Sequence, residues 1–77
     1  MLQLSDRWGP RLRSQPETGM GYQVVSVVLV SGRRYEQVLV EAGVITLVRG
    51  HASIPFREDE IADIVVTHDR WDFSAGG

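Results

Sequence analysis

Between Tyr22 and Gly50 three apolar runs are separated by two short glycine-containing turns. Runs this close together pair most naturally with their sequence neighbours, so the pattern predicts a three-stranded antiparallel meander. Tyr22–Val30 is rich in β-branched residues and reads as the first strand. Its alternate faces are Tyr22, Val24, Ser26, Val28, Val30 and Gln23, Val25, Val27, Leu29. Both faces are apolar, which calls for cover on both sides, as at the centre of a small barrel or at a subunit contact. Ser31-Gly32-Arg33 forms the first turn and Arg34–Glu41 the second strand, with Tyr35, Gln37 and Leu39 on one side and Glu36, Val38 and Val40 on the other. Ala42-Gly43 is the second turn, and Val44–Arg49 the third strand.

After Gly50 the pattern changes. Pro55 and Phe56 precede the acidic run Glu58-Asp59-Glu60, and acids suit the first turn of a helix, where the backbone dipole is positive. Ile61 and Ile64 are three apart, so a helical turn from about Arg57 to Asp63 would bury both on one face. Ile64–His68 then returns to β character, with Trp71 and Phe73 alternating on its extension and Ser74–Gly77 as a frayed tail.

Residues 1–21 show neither period. Gly9, Pro10, Pro16, Gly19 and Gly21 interrupt any continuous element, which predicts a flexible N-terminal arm ahead of one small domain over residues 22–73. The expected fold is mostly β, with a short helix as its α component. Its layout resembles small SH3-like or Sm-like barrels, and an open sheet with one helix against it is the competing arrangement.

Composition narrows the picture. Seventy-seven residues make a single domain that buries only ~60% of the surface of its unfolded chain. There is no cysteine, which excludes disulfides, thiolate metal sites and thiol nucleophiles. The run Val24–Val30 is far shorter than the ~18 apolar residues of a membrane span, and Asp6 and Arg7 follow the first leucines where a signal peptide would have its apolar stretch. A cytoplasmic protein without a membrane partner is expected. Every basic side chain is an arginine and asparagine is absent, the mark of a GC-rich, bacterial genome rather than of any chemistry.

Charge is uneven. Residues 51–77 set Arg57 and Arg70 against Glu58, Asp59, Glu60, Asp63, Asp69 and Asp72, whereas the earlier segments are slightly basic. The acidic run lacks the glycine and alternating oxygen donors of a calcium loop, and the dipole argument explains it without a metal. His51 and His68 have no paired metal-ligand spacing, and no glycine elbow or second catalytic group accompanies Thr67-His68-Asp69. No cofactor and no catalytic residues are expected, and a deep cavity of ~300 Å³ or more is hard to accommodate in so small a core.

Two interaction surfaces remain. Trp71, Phe73 and Tyr35 are candidate interface aromatics. Arg7, Arg11 and Arg13 on the arm, with Arg33 and Arg34 at the hairpin tip, form a candidate phosphate-contacting patch. The leading expectation is a non-enzymatic interaction module (an adaptor, regulatory subunit or protein inhibitor). Its partner is another protein or a second copy, since edge strands of a small sheet gain cover from a homodimer. Nucleic-acid binding through the five arginines is the alternative, and an enzyme assembled around His68 by oligomerisation comes third.

Overall fold

In the computed structural model, which describes residues 1–16 and 21–67, seven short elements follow one another. They are β1 (Leu2–Gln3), α1 (Gly9–Arg13), β2 (Gln23–Leu29), β3 (Arg34–Glu41), β4 (Val44–Val48), a 3₁₀ turn (Glu58–Glu60) and β5 (Ile61–Val66). The strands form one antiparallel sheet in the order β1-β4-β3-β2-β5, curled into an open half-barrel. The mostly β fold with a small helical component is the one the apolar pattern predicts.

The meander lies where its periodicity puts it, within a residue at each strand end. β2 is central, between β3 and β5, and is buried on both faces apart from half-buried Val28. Val25, Val27 and Leu29 point into the concave core, while Val24 packs with Leu39 and Tyr22 on the convex face. Leu47 and Val65 lie partly exposed outside this second cluster. The Ala42-Gly43 turn has both residues at positive φ, 50° and 77°, which is the two-residue hairpin geometry whose twist matches that of the strands. Alanine carries a Cβ penalty there that asparagine partly escapes. Ala42→Asn is therefore expected to stabilise the fold by about 0.5–1 kcal/mol, and an unchanged or lower urea midpoint would contradict it.

Bulges set the pairing of faces. Val25 pairs with Val38 but Val27 with Tyr35, so Ser26 faces two residues of β3, Glu36 and Gln37. Gln37 takes φ 54° at this bulge. In β5, Val28 pairs with Asp63 and Leu29 with Ile61, which leaves Ala62 as the extra residue. That extra residue shifts the two-residue alternation, and Ile61 and Ile64 both enter the core from a strand.

The segment after Gly50 thus departs from the helix expected over Arg57–Asp63. Only Glu58–Glu60 turns, as a single 3₁₀ turn, and β5 starts at Ile61, three residues earlier than expected. The Glu60 carboxylate accepts the Arg57 N–H in a capping-box bond. Ladder bonds to β2 then take over, because Ile61, Ile64, Val65 and Val66 suit a half-buried strand better than a helix.

The larger departure is at the N-terminus, where residues 1–16 of the expected flexible arm are structured. β1 pairs with β4, the Leu4 N–H donates to the Gly43 carbonyl, and the Ser5 N–H donates to the Glu58 carboxylate. α1 follows, and its Arg11 meets Asp63 of β5 at 3.4 Å. The segment therefore spans the open side of the half-barrel from β4 to β5, and Leu4, Trp8 and Leu12 join the core. Pro10 does not break this structure because it stands in the first turn of α1, where proline's missing N–H costs nothing. At the other end, residues 68–77 lie outside the described residues, and with them His68, Trp71 and Phe73.

Candidate functional site

Gln23 opens β2 with a buried amide, and this one side chain joins α1 to the sheet. Its Nε2 donates to the Leu12 carbonyl at 2.8 Å and lies 3.2 Å from the carbonyl of Gln15 and 3.3 Å from that of Pro16. Those carbonyls lie at and just beyond the C-terminus of α1, where helix geometry leaves acceptors without partners. Beside this junction the end of α1, the start of β2 and the Ala42-Gly43 turn enclose a groove of about 450 Å³, open to solvent. Leu12 and Val40 form its apolar wall, Tyr22 an aromatic one, and Arg13 and Gln15 its polar rim. It is an open surface groove and not a cavity within the core. The core is filled, and the space lies between the core and the N-terminal segment packed against it.

Arg13 reaches this wall because two glycines leave room for it. Its Nη1 stands 3.3 Å from the position a Cβ would take on Gly9 and 3.8 Å from that on Gly43. A side chain at Gly9 would press on the guanidinium, and Gly43 also needs its positive φ for the turn.

The other arginines are engaged elsewhere. Arg7 and Arg11 place their guanidinium carbons 4.8 and 5.6 Å from the Trp8 ring centre, and Arg11 also pairs with Asp63. At the β2–β3 turn Arg34 pairs with Glu36 at 2.5 Å, while Arg33 lies over Tyr35 at 6.0 Å. Arg34 and Glu41 are the two ends of β3, about 23 Å apart in an extended strand of this length. Arg13, beside Gly43, is at the Glu41 end. The five arginines of the candidate patch are therefore spread along the molecule rather than gathered.

Tyr35, the described member of the candidate aromatic interface, closes one end of the core. Its ring centre is 5.3 Å from that of buried Phe56 and 5.4 Å from that of exposed His51. Among the described residues no three acidic or histidine side chains converge on a point that would hold a metal. No described helix is long and apolar enough to cross a membrane.

One perturbed carboxyl stands on the convex face. The Ser26 hydroxyl donates to the Glu36 carboxylate, and Arg34 bonds its other oxygen. The Ser26 hydrogen bond first, and Arg34 second, hold the Glu36 carboxyl below its ordinary 4.5. A lowered carboxyl binds its proton more weakly in the folded than in the unfolded state. Its stabilisation is therefore complete above about pH 4.5 and is lost as pH falls through the lower folded value. Urea midpoints on going from neutral to acid are expected to fall less in Glu36→Gln than in the parent protein. Equal pH slopes would show that this network adds nothing.

The chain matches no known family, no curated protein and no solved structure.

Proposed function

We propose that the protein is a non-enzymatic interaction module of the bacterial cytoplasm, an adaptor, regulatory subunit or inhibitor that receives a segment of another protein. The groove beside Gln23 supports this reading. It has the volume of a binding site, its walls come from three elements fixed to one another, and it combines an apolar floor with a few polar groups at the rim. The nucleic-acid alternative has less support, because Arg11 and Arg34 are already ion-paired and the five arginines are dispersed.

Gln15→Trp tests the reading, since Gln15 is exposed and lines the groove without belonging to the core. Affinity capture from lysate of the source organism after nuclease treatment is expected to retain a stoichiometric protein partner on the parent chain and lose it on Gln15→Trp. A partner held equally by both would overturn the groove as the site. Capture of nucleic acid in place of protein would favour the alternative.

A further inference from the structure

We propose that the groove takes an acidic side chain, glutamate or aspartate, from an extended segment of the partner, with Arg13 as its anchor. This rests on the groove being the partner site and adds the chemistry of what it holds. Arg13 is distinguished by having no ion-pair or ring partner among the described residues. Arg11, Arg34 and Arg57 have carboxylates and Arg7 and Arg33 lie over aromatic rings, whereas Arg13 has neither among the described residues. An arginine fork on the wall of a groove matches a carboxylate through two parallel hydrogen bonds.

The charge count favours a carboxylate over a phosphate. Arg13 is the single cation lining the groove among the described residues, in a chain of net charge −2. One guanidinium balances the single charge of a glutamate or aspartate, while a phosphate group near −2 would keep excess charge. The remaining lining suits the flanking residues of a peptide. Half-buried Tyr22 offers a ring face above the buried Leu12 and Val40, and the opening to solvent lets a chain pass along the groove. Gly9 and Gly43 leave the room that the guanidinium occupies on the wall.

The test is an NMR titration of the ¹⁵N-labelled protein with the blocked tripeptide leucyl-glutamyl-leucine, acetylated and amidated. Parallel titrations use its glutamine counterpart, a glutamine peptide with a free C-terminal carboxylate, and inorganic phosphate. The glutamate peptide is expected to shift the amides of Tyr22 and Gly43 and the Arg13 side-chain resonance. The glutamine peptide and the Arg13→Ala variant should each weaken binding about tenfold, with Arg13→Lys in between. Arg13 is exposed, so an unchanged melting curve confirms that Arg13→Ala stays folded.

Equal binding of the glutamate and glutamine peptides, or no loss in Arg13→Ala, would overturn the proposal. So would phosphate or the free C-terminus producing the same shifts as strongly. If the peptide arm fails while Gln15→Trp still abolishes partner capture, the groove stands and only its carboxylate chemistry falls. If Gln15→Trp has no effect on capture, the site itself falls.

Discussion

Trp8→Ala is expected to cost about 3–5 kcal/mol of folding stability, against a total of roughly 4–12 kcal/mol for a chain of this length. Trp8 is only 3% exposed and packs with Leu4 and Leu12 over the concave face of the sheet. Removing it leaves a cavity where the N-terminal segment meets the strands, and a small domain has little surrounding mass to collapse into the space. Trp8→Phe separates packing from polarity. The indole Nε1 is buried without an acceptor among the described residues, so phenylalanine gives up volume but also removes an unsatisfied donor. Its expected cost is below about 1.5 kcal/mol. Circular dichroism against urea measures both variants without relying on tryptophan emission. A loss under about 1 kcal/mol in Trp8→Ala would mean that the N-terminal segment is not part of the folding unit.

Asp63→Val is expected to make the protein self-associate at least about tenfold more tightly than the parent chain, through the outer edge of β5. The Thr67 N–H donates to the Val24 carbonyl, so alternate residues of β5 bond to β2 while Ile64 and Val66 direct their backbone groups away from it. That outward row is the template on which a second strand would pair. Asp63 obstructs it, since its Oδ1 accepts the Ile64 N–H at 2.9 Å and also meets Arg11 of α1. Valine frees the N–H, removes a charge that a pairing strand would have to desolvate, and adds β-branched surface beside partly exposed Val65. Sedimentation velocity over a concentration series reads the effect. A variant that associates no more strongly than its parent would show that Asp63 does not guard the edge.

Much of this architecture is visible in the order of residues. The meander follows from β-branched runs whose length and spacing admit few other pairings, and its turns from glycines at positions that need positive φ. The apolar character of both faces of Tyr22–Val30 correctly implies a central strand. The segment from Arg57 to Val66 was harder, because Ile61 and Ile64 three apart are as compatible with a bulged strand as with a helix. Only pairing with β2, and the extra residue Ala62, decide between them. The N-terminal segment carries one signal of its packing. Leu4, Trp8 and Leu12 recur every four residues, but Gly9 and Pro10 between them suggest a break to anyone who does not place Pro10 in a first turn.

The candidate site was the least legible part. The charge of Arg13 marks it in the sequence, yet nothing along the chain relates it to Gly43, thirty positions away. Along the chain Gln23 is one polar position on a strand face, and its bond to the Leu12 carbonyl of α1 exists only once α1 is packed beside β2. Local pattern alone therefore determined the three meander strands β2–β4, their turns and the mostly β class, because strand period and turn chemistry act over a few residues. Tertiary structure decided the closure of the half-barrel by the N-terminus, the face change at Ala62 in β5 and the groove beside Arg13. Each of these depends on contacts between distant segments, whose free energy appears only when the whole chain packs.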